Sequence, residues 1–103
     1  MASQSPDVVA IGDAIVDVIA TCDDSFLVEN GLAKGSMQLL STEQADALYA
    51  AMGPAREVSG GSAANSMAGL AALGLDAAFV GQVADDQLGE IFAHDMRSLG
   101  VRF

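Results

Sequence analysis

The sequence predicts an α/β fold, a mostly parallel sheet flanked by helices, and three observations carry that prediction. Residues 8–19 are dense in β-branched side chains, the composition of strands buried on both faces of a parallel sheet. Residues 61–73 are rich in alanine, with apolar residues at helical spacing, and only Leu75 and Asp76 separate their closing glycine from the apolar run 77–83. Residues 86–99 repeat the scheme, a capped amphipathic helix that ends at Gly100 and leads into the extended start Val101.

Taken in order, Val8, Val9, Ile11, Ile15, Val16, Val18 and Ile19 form the first strand pattern, interrupted at Gly12 and Asp13. A glycine within a strand marks a bulge or a close approach. The carboxylates of Asp13 and Asp17 are costly in an apolar strand unless they meet partners, and the alternative is a surface turn with two solvated acids. Between Asp23 and Ser36 the chain is polar, and VENGLAKGS reads as a short helical turn and then loop. SMQLL at 36–40 reads as a short strand.

Ser41 followed by Gln44 has the spacing of a capping box, opening a helix through Ala45, Leu48 and Ala51 that ends near Gly53 and Pro54. Residues 56–59 return to an extended segment, so two short extended pieces flank one helix, the layout of an inserted flap. The helix of 61–73 carries Met67, Leu70 and Leu73 on one stripe, its alanines allow close approach to a sheet, and Gly74 stands at the C′ position. The next strand is predicted at 77–83. Asp86 caps the last helix, on which Leu88, Ile91, Phe92, Met96 and Leu99 share a face.

Composition narrows the function. The chain has 103 residues, 51% hydrophobic and only 17% charged, more apolar than one small domain needs for its own core. The excess points to a partner surface, on another chain or on the remainder of a longer one. With 14 acidic and 4 basic side chains the net charge is −10, which repels nucleic acid. A phosphate-handling site would therefore depend on backbone N–H groups, on metal, or on residues outside the chain. The lone Cys22 excludes an internal disulfide, and the N-terminal MASQSPD leads into no leader or membrane span, so a reducing cytoplasm is the expected location.

Most phosphate and catalytic motifs are missing. There is no G-x-x-x-x-G-K-[ST], no G-x-G-x-x-G, no H-E-x-x-H and no G-x-S-x-G. The single histidine, His94, reads as an exposed helical side chain. What stands out is the adjacent pair Gly60 and Gly61, opening a helix whose second turn presents Asn65, together with the strand that carries Asp13 and Asp17. Glycines at a helix start leave free N–H groups and no Cβ to hold a ligand off. Carboxylates accept hydrogen bonds from hydroxyls, and an amide both gives and takes one. Such a set suits a neutral polyol, for instance a sugar ring, better than a phosphate.

The ordered set Gly60-Gly61-Ser62-Ala63-Ala64-Asn65, the alanine-rich helix to Leu73-Gly74, Phe79-Val80-Gly81 and Asp85-Asp86-Gln87-Leu88-Gly89-Glu90 resembles the N-terminal signature of the PfkB, or ribokinase-like, carbohydrate kinases. The resemblance runs from Val8 to Phe103. It implies a ribokinase-like, Rossmann-like sheet with a small β lid, and residues 1–103 as the N-terminal portion of a single kinase domain. It further implies transfer of the γ-phosphate of ATP to a primary hydroxyl of a sugar or nucleoside.

By position, Asp17 is similar to the acidic residue that holds sugar hydroxyls, Gly60 and Gly61 to the backbone pair against the ring, and Asn65 to the polar partner beyond them. Asp13, within Gly12-Asp13-Ala14-Ile15-Val16-Asp17, falls where the adenosine-kinase-like branch usually carries asparagine, and the spacing leans towards that branch. The segments 36–40 and 56–59 resemble the lid strands, which in some members also pair two subunits, so a homodimer through the lid is implied. Met37 and Leu39 are the lid candidates, and ordinary core residues are the alternative.

The family's second signature, a glycine-alanine-glycine-aspartate turn bearing the catalytic base, does not occur here. No catalytic and no metal-binding residue is therefore assigned, and ATP and Mg2+ are expected to be held mainly by residues outside this chain. The segment is expected to be inactive alone. The competing reading is a polyol- or nucleoside-binding or regulatory module without turnover, while a dinucleotide-binding fragment conflicts with the glycine spacing.

Overall fold

A computed structural model describes residues 5–103, in the order β1 (Val8–Ile11), β2 (Ile15–Ile19), α1 (Asp24–Glu29), α2 (Thr42–Ala51), β3 (Arg56–Gly60), α3 (Ser62–Ala72), β4 (Ala77–Val80) and α4 (Gln87–Ser98). The reading of residues 1–4 lies outside the described residues. The chain divides into two compact units, one of residues 5–18 and 57–103 and the other of 19–56.

In the first unit β1 and β4 pair in parallel, with Val8 opposite Ala77 and Ile11 opposite Val80. A parallel pair needs a crossover, and α3 lies in the connection between these strands. The sheet gains a third member at Arg102, which bridges Ala78 in parallel: the Phe79 N–H donates to the Arg102 carbonyl at 2.9 Å, and the Arg102 N–H donates to Ala77 at 3.0 Å. The connection from β4 to Arg102 is made by α4. The expected parallel α/β architecture is thus formed.

Ala64, Met67, Ala77, Phe79, Phe92, Met96 and Val101 make the buried core. The rings of Phe79, Phe92 and Phe103 are mutual neighbours, with centroids 5.1 to 6.0 Å apart, the spacing at which aromatic pairs add to simple burial. Small residues let α3 approach the strands: a Cβ built on Gly12 would stand 3.0 Å from the Ala63 Cβ. The Asp86 carboxylate caps α4 by accepting the Gly89 N–H at 2.8 Å, and Gly89 must be bare because a Cβ there would run into the Ala84 carbonyl.

In the second unit the predicted capping box is complete: the Ser41 hydroxyl accepts the Gln44 N–H at 3.2 Å and the Gln44 side chain accepts the Ser41 N–H at 2.9 Å. No residue from 19 to 56 is fully buried. An apolar cavity of about 210 Å3, lined among others by Phe26, Leu32, Leu48 and Met52, lies within this unit.

Four expectations are corrected. The run 8–19 is two strands, and it is not buried on both faces, since Val9 is 52% and Ile11 81% exposed while Val8 and Ala10 pack on the core. Only the face towards α3 and α4 is covered within this unit. The strand predicted at 77–83 stops at Val80, where its partner β1 ends opposite it at Ile11. Leu73 is the C-cap rather than part of the buried stripe and is 82% exposed. Residues 36–40 form no strand, and Met37 and Leu39 are exposed rather than core. Residues 36–40 belong to neither of the two ladders among the described residues, and an extended segment without a partner gains no inter-strand bonds.

Candidate functional site

The site grows from the carboxyl end of the parallel sheet. Beyond Ile11 the Gly12 N–H donates to the Val80 carbonyl at 3.1 Å, which extends the ladder by one bond and pins the bend that follows. The chain then passes through Asp13 and Ala14 into β2. Strand alternation exposes Asp13, Ile15 and Asp17 and turns Ala14 and Val16 towards the core.

β3 delivers the glycine pair from the other side. Its end is fixed by α4, as the Asp95 carboxylate accepts the Ser59 N–H at 2.8 Å. Gly60 is buried, and a Cβ there would come 2.5 Å from Asp17 Oδ2 and 2.9 Å from its Cγ. Gly61 is the N-cap of α3, with φ +92° and ψ 143°, a conformation that favours glycine. Its missing Cβ would stand 3.2 Å from the Asp13 carbonyl oxygen and 3.5 Å from Ile15 Cδ1. The two glycines are thus required for different reasons, one by crowding and the other by backbone angle.

α3 has no side-chain cap and no acidic residue in its first turn, so the positive end of its dipole is not neutralised locally. Asn65 lies one turn into this helix, its N–H bonded to the Gly61 carbonyl at 2.9 Å and its side chain exposed. The structure therefore brings Asp17 onto Gly60 and the Asp13 main chain onto Gly61, with Asn65 one turn further on. Met37 and Leu39 belong to the other unit.

Two contributors escaped the sequence reading. Composition places Ile15 in a buried strand, whereas its i, i+2 relation to Asp13 and Asp17 puts it on their exposed face. Asp95 belongs to none of the sequence motifs, and no local signal announces a bond spanning 36 positions.

The charges bear on which ligands fit. Lys34 pairs with Asp24 at 3.1 Å, Arg102 pairs with Asp76, and Arg97 donates twice to the Phe103 carbonyl at 3.2 and 3.0 Å. Three of the 4 basic side chains are thereby engaged away from the glycine pair. Among the described residues no group of three or more His, Cys, Asp or Glu is placed to hold a metal ion, and no helix is long and apolar enough to cross a membrane. A separate cavity of about 210 Å3 opens beyond β1 and β4, lined by Ala14, Val16, Val83, Asp86 and Phe92 among others; Asp17, Gly60 and Gly61 do not line it.

The pfkB family carbohydrate kinases match residues 5–103. No curated protein matches at a significant level. Among solved structures, adenosine kinase from Sinorhizobium meliloti is 61% identical with a TM-score of 0.76, over 97% of this chain and 31% of that one. A protein described as a probable sugar kinase from Rhizobium etli CFN 42 is 54% identical with a TM-score of 0.75, over 94% of this chain and 29% of that one. Adenosine kinase from Trypanosoma brucei brucei is 30% identical with a TM-score of 0.74, over 96% and 32%. The chain thus spans 29 to 32% of the length of these structures.

Proposed function

The chain belongs to the pfkB family of carbohydrate kinases, and from that premise we propose that it supplies the acceptor-binding part of a nucleoside or sugar kinase, with a ribonucleoside as the preferred acceptor. The nucleoside reading is supported by the 61% identity to a protein named adenosine kinase. The reaction is transfer of the γ-phosphate of ATP to a primary hydroxyl of that acceptor.

One observation carries the reading: the Asp17 carboxylate is exposed and lies over buried Gly60, beside the half-buried Gly61 that opens α3. Asp17 accepts hydrogen bonds from ring hydroxyls, Gly60 makes room for that carboxylate, Gly61 lets the ring approach, and Asn65 both donates and accepts. Asp13 adds a second acceptor. With three of the 4 basic side chains engaged elsewhere, an uncharged hydroxylated ring is the favoured guest. Met37 and Leu39, 83% and 87% exposed, are the side chains we assign to a lid or to contact with a second copy.

The residues present do not fit a nucleoside triphosphate and Mg2+. Among the described residues no group of three or more His, Cys, Asp or Glu is placed to hold a metal ion, and Lys34, Arg97 and Arg102 are engaged by Asp24, the Phe103 carbonyl and Asp76. ATP would supply the phosphoryl group through residues outside this chain, and no step through it is assigned to residues here. This favours a second reading for the chain by itself, in which it binds the acceptor without turnover. The kinase setting and the single Cys22 support a cytoplasmic location.

The test is titration of the 103-residue chain with adenosine, ribose and fructose, followed by amide chemical shifts. Perturbations centred on Asp17, Gly60, Gly61 and Asn65, weakened about 10- to 100-fold by Asp17→Ala, are expected for loss of a hydrogen bond to a charged group. Shifts confined to other residues at millimolar ligand would refute the assignment.

A further inference from the structure

We propose that the free edge of β1 is a strand-docking site: Val9 and Ile11 take up one further parallel β-strand, whose crossover helix covers the outward aliphatic strip, from the polypeptide length that the solved relatives carry beyond the matched region. This surface lies apart from the acceptor site and does not depend on it.

The hydrogen-bond parity of β1 leaves that edge open. In a parallel ladder, alternate residues turn their N–H and C=O groups to one neighbour, and the residues between turn theirs to the other side. The Val8 and Gly12 N–H groups donate to the Asp76 and Val80 carbonyls at 3.4 and 3.1 Å, so Val8, Ala10 and Gly12 serve β4. The main chain of Val9 and Ile11 therefore points away from β4, and among the described residues no strand pairs with β1 on that side. β4, by contrast, is bonded along both edges, since Ala77 and Phe79 serve Arg102.

The side chains of the same two residues are also uncovered. Val9 and Ile11 stand opposite Ala78 and Val80 on the outward face, where Val9, Ile11 and Val80 are all exposed. Val8-Val9-Ala10-Ile11 holds no charge and no proline, the residues that usually blunt an open edge, and its unbroken apolar run is the composition of a strand inside a parallel sheet.

One occupant answers both features. A parallel strand needs a crossover, normally a helix, and with α3 and α4 already on the inner face that helix has the outward face to cover. The length for it exists in the relatives, because the chain spans only 29 to 32% of the solved structures it matches. A second copy of this chain is the poorer occupant, since a net charge of −10 on each opposes the pairing.

The test co-expresses the 103-residue chain with the part of Sinorhizobium meliloti adenosine kinase that follows the matched region, and follows amide hydrogen exchange in the free and the associated chain. A soluble one-to-one complex is expected, in which exchange at Val9 and Ile11, fast in the free chain, slows by about a hundredfold or more. Val9→Pro removes an outward N–H and leaves the bonds to β4, so it should keep the Phe79 and Met96 shifts yet weaken the complex by about a hundredfold. If that variant fails to fold, Ile11→Lys decides, because it sets a charge on the outward face and leaves the core alone. Association as tight as that of the unchanged chain overturns the proposal. So does the absence of a soluble complex, a complex in which Val9 and Ile11 exchange as before, or self-association of the chain alone that protects the same two amides. Adenosine is absent throughout, so failure to dock leaves the acceptor-site reading standing, and failure to bind adenosine leaves the docking edge standing.

Discussion

The carboxylate of Asp17 lies where the side chain of residue 60 would otherwise be: a Cβ on Gly60 would come within 2.5 Å of Oδ2 and 3.1 Å of Oδ1. Position 60 and the acid are therefore one unit, and changing either alters the other.

Gly60→Ala is expected to destabilise the chain by about 1–3 kcal/mol, the usual cost of overpacking, because Gly60 is buried and the strand cannot simply step aside. Much of this loss should vanish in the Asp17→Ala background, where the clash is removed. A double-mutant cycle by urea unfolding measures the coupling, and strictly additive effects would contradict the contact.

Gly61→Ala tests the backbone angle rather than the space. At φ +92° an alanine is strained, and a cost of about 1–3 kcal/mol is expected from the conformation alone. Unlike Gly60→Ala, this cost should persist when Asp17 is replaced. Denaturant midpoints of the two double variants separate the mechanisms.

Asp95→Ala leaves the part-buried N–H of Ser59 without its acceptor at 2.8 Å. The expected penalty is about 1–3 kcal/mol, with faster hydrogen exchange at Ser59 and Gly60. Asp95→Asn, which keeps an oxygen acceptor, should recover part of it. Exchange rates that do not respond to either change would remove Asp95 from the support of the glycine pair.

Phe92→Ala removes a ring that is 0% exposed and contacts both Phe79 and Phe103, for an expected cost of about 3–5 kcal/mol. Ser41→Ala, by contrast, should cost about 1 kcal/mol and act locally on α2, since it breaks an exposed capping box in a unit with no fully buried residue. Hydrogen exchange resolves the two: the first change accelerates exchange through α3, β4 and α4, the second only near residues 42–46.

Local chemistry was the most legible part of the fold. The Ser41–Gln44 box, the Asp86 cap and the Gly74 and Gly100 terminators are written in a few adjacent residues, and each appears as expected. The juxtaposition of Asp17 with the glycine pair was legible through the combination of a strand acid and a bare turn. What the residues could not show was long-range. Whether Met37 and Leu39 join a ladder depends on a partner strand, which the local pattern does not name, and 36–40 is in neither ladder. Whether Val9 and Ile11 are buried depends on what covers the second face of the sheet, and β-branched composition is the same in either case. The bond from Asp95 to Ser59 likewise exists only once α4 has docked.

The outward side of β1 and β4 has a colloidal consequence. Val9, Ile11 and Val80 present an aliphatic strip on neighbouring strands, on a molecule whose net charge of −10 makes copies repel. Added electrolyte shortens the reach of that repulsion to about 8 Å near 0.15 M while leaving the strip as adhesive as before. Dilute low-salt solutions should therefore stay clear, and turbidity should rise with sodium chloride, an effect that Ile11→Lys on the strip ought to blunt.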